Sequence, residues 1–521
     1  MQIVEQPKDT KAFLSVLYNK DIWDIIRGYM YPGKKTNNWY NWSGTGNVAS
    51  FYGYLPLMKE RPSLKYAFCD HDAAASNGHL PVLRWFVESK LEVFTIETAC
   101  AAAGGGHLNI VSWLFKNKRW LPRRRNPATN TEPCPLYSAA KGGYIHIVKW
   151  LYLNTKHTCS KRSLYAAAAG GHMESVKFIC CVGKIRCCTK IVDAAAESGN
   201  VELLSWLLNR GNTCTEAGMD FAAGKGHLEV VKLLHNKNNP CSLRAMDLAS
   251  QRGHLEVVKF LHTNRKEGCK DTTLCEVAAR GHLDVLKWFC DIGEPFEDRI
   301  MDYAAKGGRM EVVKWLHENN IGGCTVNAMS WAALIGSTEV VKFLHFNRKE
   351  GCDNRAMDYA AQEGHLEIVK FLHSHRTEGC SVNAMDGACR NGELETVKFL
   401  HENRTEGCST YAMDLAAQAG HLEVVKFLHF NRAEGCTTYA MDWAAQKGHL
   451  DVLSWLYENR NEGCTNYAVE SAASSGFLEV VKWLHERGEG YISLALKKAK
   501  RHKQRHVVEW IEQHIRTLPI S

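Results

Sequence analysis

The sequence contains no run of 18 apolar residues, so no membrane-spanning helix is predicted. Its first residues, MQIVEQPKDTK, lack the apolar core of a secretory signal, and export is therefore not expected. Without export, the 20 cysteines are expected to remain thiols in a reducing compartment. Wholesale disorder is excluded as well, because 45% of the residues are hydrophobic and 23% are charged.

The chain also has little net charge outside two basic segments. The chain carries +8, but residues 116–127 contribute +6 and residues 490–521 contribute +5, which leaves −3 for the remainder. A body this close to neutral does not favour general nucleic-acid binding. The basic stretches 116–127 and 497–506 are interpreted as solvated surface, with nuclear import or contact with RNA or an acidic partner as alternatives. We expect a cytoplasmic protein, with nuclear entry left open.

What the chain does contain is a repeat. The motif GHLEVVKFL occurs at Gly253 and Gly420, and close variants begin at Gly364 and Gly448. Spacing of 27 or 28 residues, broken once by a step of 37, indicates a stack of similar units. The glycine falls at fifteen positions: 78, 106, 143, 171, 199, 226, 253, 281, 308, 336, 364, 392, 420, 448 and 476.

Each repeat is predicted to form two helices, with residues 436–464 as the template. The first helix is short and rich in alanine, begins after Thr437 or Thr438, and ends at Gly448. The second places Leu450, Leu453, Trp455 and Leu456 on one apolar stripe. Neither helix could bury its stripe alone, so the fold class is an all-α solenoid.

This pattern resembles the ankyrin repeat over roughly residues 50–515. The family's units have ~33 residues, and the residues missing here fall where the family has its β-hairpin, so the hairpins are expected to be trimmed to tight turns. Asp442 stands where the family's TPLH motif has histidine. The predicted organisation is an N-terminal helical cap (1–45), a repeat array (46–488) that starts with a degenerate copy at Gly53, and a basic capping unit (489–521).

Three polar residues recur at fixed offsets from the glycine: cysteine twelve before it, aspartate six before it and histidine directly after it. Five repeats hold all three, which resembles a thiol-protease constellation. Because the trio recurs with the repeat, we interpret it as structural, with aspartate and histidine bonding to backbone groups. A second histidine, nine residues after the glycine, is predicted to lie at the C-terminus of the second helix.

The recurring cysteines are predicted to be buried thiols without disulfides or metal, since packed helices lie ~8–10 Å apart. Phe94 and Phe296 in the same slot support an apolar site. A zinc site is weighed as an alternative only at the cluster Cys180, Cys181, Cys187 and Cys188. No cofactor is expected.

Variation between repeats suggests where a partner would bind. The two positions before the glycine vary most, and in the ankyrin family such positions face the concave groove. Leu334 and Ile335 place two apolar groups there, which suits an anchor for a partner or, alternatively, local repacking around a weakened turn. Trp331 stands where the family has a packed leucine, and its loss would cost ~3–5 kcal/mol if that site is buried. The predicted partner-binding residues are Gln251, Arg252, Arg280, Lys306, Leu334, Ile335, Gln362, Glu363, Arg390, Asn391, Gln418, Gln446 and Lys447.

The resemblance implies a non-enzymatic scaffold, expected to be monomeric, that binds a protein. The alternative is a substrate-recognition subunit of a ubiquitin ligase, in which the first 45 residues form an F-box-like segment. FLSVL and IWDII in that segment have helical apolar spacing, which suits either a cap or such an adaptor.

Overall fold

The computed structural model describes residues 68–89, 94–117, 134–155 and 157–517, together with Leu55. These residues form 32 α-helices and no strand, which confirms the all-α prediction. The predicted N-terminal cap (1–45), the degenerate first copy and nearly all of the basic segment 116–127 lie outside the described residues. No described helix is long and apolar enough to cross a membrane.

The helices alternate between a first and a second helix in each repeat. The first helices are α1 (Phe68–Ser76), α3 (Ile96–Gly104), α5 (Pro135–Gly142), α7 (Lys161–Ala169), α9 (Thr189–Glu197), α11 (Glu216–Gly224), α13 (Leu243–Gln251), α15 (Thr273–Arg280), α17 (Ile300–Lys306), α19 (Val326–Leu334), α21 (Arg355–Gln362), α23 (Val382–Asn391), α25 (Tyr411–Ala419), α27 (Thr438–Lys447), α29 (Asn466–Ser475) and α31 (Ile492–Arg501).

The second helices are α2 (Leu80–Glu88), α4 (Leu108–Asn117), α6 (Ile145–Asn154), α8 (Met173–Cys181), α10 (Val201–Asn209), α12 (Leu228–Asn236), α14 (Leu255–Asn264), α16 (Leu283–Asp291), α18 (Met310–Glu318), α20 (Thr338–Asn347), α22 (Leu366–His375), α24 (Leu394–Asn403), α26 (Leu422–Asn431), α28 (Leu450–Asn459), α30 (Leu478–Glu486) and α32 (Arg505–Thr517).

Local chemistry sets the bounds of each helix, as α27 illustrates. The Thr437 hydroxyl accepts a hydrogen bond from the backbone N–H of Tyr439 at 3.1 Å, which satisfies one of the free amides at the helix start. Gly448 ends the helix at φ 83°, a left-handed conformation that suits a residue without Cβ. Thr437, rather than Thr438, is therefore the cap.

The predicted apolar stripe of the second helix is buried in part. In α28, Val452, Leu453 and Leu456 are buried, while Leu450 and Trp455 pack against them and stay partly exposed. The opposite side of second helices carries exposed ion pairs such as Glu423 with Lys426, 2.8 Å apart. Each helix pair therefore has one apolar side, which it buries against neighbouring repeats.

The chain forms two compact units, Met1–Ile191 and Val192–Ser521, and the division falls within the repeat array. Within the second unit, successive first helices pack closely together, whereas successive second helices touch much less. The first helices are thus the more tightly stacked layer.

The closing copy forms a regular helix pair, α31 and α32, although it lacks the glycine. Lys503 adopts the left-handed conformation at φ 60° between the two helices. Ala495, Ala499, Val507 and Ile511 are buried there and continue the core. The turns before each first helix contain no described strand, which confirms the prediction of trimmed hairpins.

Candidate functional site

The recurring aspartate bonds forward to the next repeat. Asp442 accepts hydrogen bonds from the backbone N–H of Thr465 at 2.8 Å and from its hydroxyl at 2.7 Å. Thr465 is the residue that caps the next first helix, α29. Six further aspartates accept the same pair of bonds, from the backbone N–H and the hydroxyl of one residue in the next repeat: Asp193, Asp220, Asp302, Asp358, Asp386 and Asp414. Asp72 accepts from the Thr98 hydroxyl, and Asp247 accepts from the Lys270 N–H and the Thr273 hydroxyl. These contacts to the next repeat confirm the predicted structural role.

The histidine after the glycine bonds backward instead. His365 donates from Nε2 to the carbonyl oxygen of Leu334, 3.2 Å away in the preceding repeat, while Asp358 of its own repeat bonds to Ser381 in the following one. His282 makes the same bond to Gln251 at 3.0 Å. The aspartate of a repeat thus bonds to the following repeat, and the histidine bonds to the preceding one. The apparent protease trio therefore does not act as a unit.

The recurring cysteines are only partly buried as predicted, because six of the eleven are buried and five are half-buried. Cys408 and Cys436 are buried, and burial raises the pKa of each thiol to about 12. Phe94 is buried in the equivalent position, and Phe296 packs against the core. A thiol that holds its proton is a poor nucleophile and a poor metal ligand. In the described part of the chain, no three His, Cys, Asp or Glu side chains converge as a metal site would require.

An arginine–glutamate pair, which sequence reasoning missed, builds each EGC turn. Arg432 pairs with Glu434, whose Oε1 accepts the backbone N–H of Cys408 in the preceding repeat at 3.4 Å. The hydrogen bond from Arg432 lowers the pKa of Glu434 to about 2. The sequence signal was the R-x-E-G-C motif itself. The pair recurs as Arg265–Glu267, Arg348–Glu350, Arg376–Glu378, Arg404–Glu406 and Arg460–Glu462.

The second histidine lies in the last turn of the second helix, as expected, but its main contact was not predicted. The His429 ring stands edge-on against the indole of Trp455 in the next repeat, with 5.1 Å between centroids and 90° between planes. The available signal was an aromatic residue seven after the glycine, present in every repeat except that of Gly226, which has Leu233. The same contact joins His235–Phe260, His262–Trp288, His317–Phe343, His345–Phe371, His373–Phe399, His401–Phe427 and His485–Trp510.

The predicted partner-binding residues lie at the ends of the first helices, one or two per repeat. In most of these repeats the position directly before the glycine is the more exposed of the two, with Lys306 as an exception. The exposed members are Arg252, Arg280, Lys306, Ile335, Glu363, Arg390, Asn391 and Lys447, and the half-buried members are Gln251, Leu334, Gln362, Gln418 and Gln446. Five of the exposed side chains are basic and one is acidic, so this surface is positively charged.

Some of these side chains also join neighbouring repeats. The Arg252 guanidinium donates to the carbonyl of Gly224 at 2.9 Å, and the Asn391 amide donates to that of Gln362 at 2.8 Å. Gln446 donates to the Tyr467 hydroxyl at 2.8 Å. These residues therefore have structural contacts besides any they make with a partner.

Leu334 and Ile335 are not equivalent. Ile335 is 44% exposed, whereas the Leu334 side chain is half-buried. The expectation that Trp331 is a packed core residue is wrong: its indole is half-buried, lies 5.9 Å from the Tyr303 ring, and has the Lys306 amine 5.4 Å above it. The first helix buries Met329, Ala332 and Ala333 instead, because the position of Trp331 faces away from them.

Three exposed tyrosines and a half-buried tryptophan on three successive first helices were not predicted. We call Tyr411, Tyr439, Trp443 and Tyr467 the aromatic patch. The three tyrosines are 46–53% exposed, and the Tyr439 and Trp443 rings stack with 4.8 Å between centroids and 3° between planes. They lie nine and five residues before the glycine, on the same side of the helix as the variable pair. Comparing repeats at those two offsets would have found them.

The repeat array matches a known protein family. A family model described as ankyrin repeats (three copies) matches in eight overlapping stretches, which together span residues 191–492. Among solved structures, the ankyrin repeat domain of human ASB11 is 21% identical, with coverage of 31% of this chain and 84% of that one and a TM-score of 0.26. The maize pentatricopeptide repeat protein PPR10 is 11% identical, with coverage of 95% and 86% and a TM-score of 0.28.

No curated protein matches this chain. The ankyrin family model nevertheless spans more than half of the residues of this chain. The described helices pair and stack with the period of the sequence repeat. By that match, the chain belongs to the ankyrin-repeat family.

Proposed function

We propose that this chain is a non-enzymatic interaction protein that binds a protein partner through the exposed side of its first helices. The observation that carries the proposal is a contrast between two sets of positions. At the turns that bound that surface, the aspartate, histidine and arginine–glutamate contacts recur in the repeats that carry these residues. On it, the residues before the glycine differ from repeat to repeat, and aromatic rings are exposed.

The chemistry of this surface favours an acidic partner with apolar anchor residues. Tyrosine, tryptophan and arginine are the residues that most often dominate protein interfaces. Here Lys447 follows Tyr439 and Trp443 on one first helix, and Arg390 lies on the first helix before that of Tyr411. The Lys306 amine lies over the indole of Trp331, which shares its first helix with Leu334 and precedes Ile335 by four residues. Opposite charge on the partner would speed encounter and help select it.

The first experiment identifies partners and locates the surface that holds them. Full-length protein is immobilised, retained proteins are identified by mass spectrometry, and the affinity of a purified partner is then titrated. Tyr439→Ala and Trp443→Ala should each weaken binding ~10-fold or more. Phe430→Ala is the matched control, because Phe430 is 73% exposed on a second helix. A greater loss of affinity with Phe430→Ala would indicate that the partner binds to the second helices.

A charge reversal at one exposed site tests the predicted acidity of the partner. Ile335→Asp and Ile335→Arg remove the same apolar group but introduce opposite charges, and both should melt like the parent because the site is exposed. Binding should fall further with aspartate than with arginine, and the difference should shrink as salt increases. Equal losses would contradict an acidic partner.

Two further outcomes would redirect the proposal. Binding that is lost on ribonuclease treatment would indicate a single-stranded nucleic-acid partner, which aromatic and basic groups also suit. Recovery of ubiquitin-ligase adaptors with residues 1–521 but not with residues 46–521 would favour the ligase alternative.

A further inference from the structure

Two cysteine sulfur atoms meet at the end of α8, outside the contacts described so far. Cys180 lies in the last turn of α8, and Cys187 lies in the connection to α9. Their Sγ atoms are 3.4 Å apart. Other recurring cysteines contact oxygen atoms instead: Cys214 donates to the Asn239 side chain at 3.2 Å and Cys241 to Glu267 at 3.4 Å. Cys187 belongs to the recurring series by position, yet its neighbour differs.

We propose that Cys180 and Cys187 are a site of reversible disulfide formation by a low-molecular-weight disulfide such as oxidised glutathione. A disulfide bond needs sulfurs ~2.05 Å apart, so these two must approach by only ~1.4 Å. The connecting residues can supply that movement, because Gly183 and Lys184 lie outside both helices and Lys184 already has φ 53°.

The site is open to a reagent and has the charge that suits it. Both sulfur-bearing residues are half-buried, not enclosed, and the adjacent Cys181 and Cys188 are exposed. Residues 182–190 contain Lys184, Arg186 and Lys190, all exposed, and no acidic residue. Oxidised glutathione is anionic, so this segment would attract it.

The reaction is a thiol–disulfide exchange in two steps. The thiolate of one cysteine attacks a sulfur of oxidised glutathione, which forms a mixed disulfide and releases one glutathione. The thiolate of the other cysteine then attacks the protein sulfur of that mixed disulfide, which forms the Cys180–Cys187 bond and releases the second glutathione. The two protein thiols lose two protons and two electrons, and oxidised glutathione gains them.

Closing this ring would tie the end of α8 to the segment that leads into α9 at Thr189. A covalent ring of residues 180–187 would restrict the path of this segment more than the open, reduced chain does. The site would therefore respond to the thiol–disulfide balance of its surroundings, while the buried cysteines of other repeats would not.

The test uses full-length protein in glutathione buffers of increasing oxidised fraction, followed by alkylation and tryptic mass analysis. Trypsin cuts after Lys177, Lys184, Arg186 and Lys190, so the proposed bond joins the peptides of residues 178–184 and 187–190. We expect that linked pair to be the main product in excess oxidised glutathione and to separate with dithiothreitol. Fragmentation assigns the bond to Cys180 and Cys187.

Serine variants separate this pair from its neighbours. Cys180→Ser and Cys187→Ser should abolish the linked peptides, whereas Cys181→Ser and Cys188→Ser should retain them. Unchanged helicity and continued protection of Cys408 from alkylation show that each variant is folded. Only glutathione adducts on the parent, or a link that survives Cys180→Ser, would overturn the proposal.

Discussion

Asp442 receives both polar hydrogens of Thr465, with the backbone amide on Oδ1 at 2.8 Å and the hydroxyl on Oδ2 at 2.7 Å. In one repeat the two partners are exchanged. Ser330 stands at the aspartate position, and its hydroxyl donates to Oδ1 of Asp353 in the next repeat at 3.0 Å. Asp353 also accepts from the backbone N–H of Arg355 at 3.2 Å, as a helix cap does. The carboxylate–hydroxyl hydrogen bond is therefore kept, with the hydroxyl in the earlier repeat and the carboxylate in the later one.

The reversed pair predicts a rescue by double substitution. Asp442→Ser leaves the Thr465 donors without an acceptor and should cost ~1–3 kcal/mol. Thr465→Asp places two carboxylates together and should also destabilise. The combined variant should recover ~1 kcal/mol or more relative to the sum of the two, because the introduced serine hydroxyl could then donate to the introduced carboxylate.

Hydrogen exchange over residues 436–475, together with the thermal midpoint, measures this coupling. The same substitutions in different repeats, Asp442→Ser with Ser409→Asp, are the control and should show no rescue. Strictly additive losses in the first combination would mean that the bond carries no specific energy.

Deleting one whole repeat should leave a folded, shorter array, because stability is a sum of repeat and neighbour terms. Removal of residues 408–435 would bring Thr437 to Asp386 in place of Ser409, and Trp455 to His401 in place of Phe427. Each replacement has the chemistry of the residue it replaces. Circular dichroism should show unchanged helicity per residue.

The half-repeat deletion of residues 408–421 is the control. It leaves α26 without its first helix and exposes the apolar stripe, so the protein should lose helicity or aggregate. Equal helicity and solubility of the two deletions would refute stacking of whole repeats as the source of stability.

Acid should destabilise the array partly through His345. Its Nδ1 is buried without a hydrogen-bond partner, and the ring stands edge-on to Phe371 at 5.3 Å. Burial lowers the pKa of His345, Arg376 and His375 lower it further, and Glu378 opposes them. Because the pKa of His345 is lower in the folded state, protonation favours the unfolded chain. The stability is therefore fully present above 6.5, the pKa in the unfolded state, and is lost as pH falls below it.

His345→Phe should keep the edge-on contact and remove the titration. Its thermal midpoint should match the parent at pH 7.5 and fall less than the parent toward pH 5.5. His146→Phe, at an exposed site, serves as the control and should follow the parent throughout. A parallel fall of all three proteins would show that His345 does not contribute.

The buried cysteines should react slowly until the fold opens. Burial raises the pKa of Cys408 and Cys436 to about 12, so at pH 8 their thiolate forms are scarce. Timed alkylation should modify them at least ~100-fold more slowly than the exposed Cys181 and Cys188, and the difference should vanish in urea. Comparable rates in the folded protein, or stoichiometric bound zinc, would contradict this.

Much of this architecture follows from the sequence alone. The caps at Thr437 and Gly448, the apolar stripe of α28 and the period of 27 or 28 residues depend on neighbours within one or two helical turns. Such preferences act locally, so they can be recognised without coordinates. Repetition also predicts the stacking of the helix pairs, because similar units in one chain bury their apolar sides against one another. The structural roles of Asp442 and His365 were inferred on that basis.

Only the tertiary structure decided which side chains meet between repeats and which remain at the surface. Trp331 looked like core but is half-buried, because exposure depends on how the neighbouring first helices pack. The His429–Trp455 contact joins residues 26 positions apart, and the Cys180–Cys187 contact depends on the path of a short connection. Periodicity specifies the side of a helix on which a residue lies, whereas contacts across repeats depend on the distances and angles of stacking.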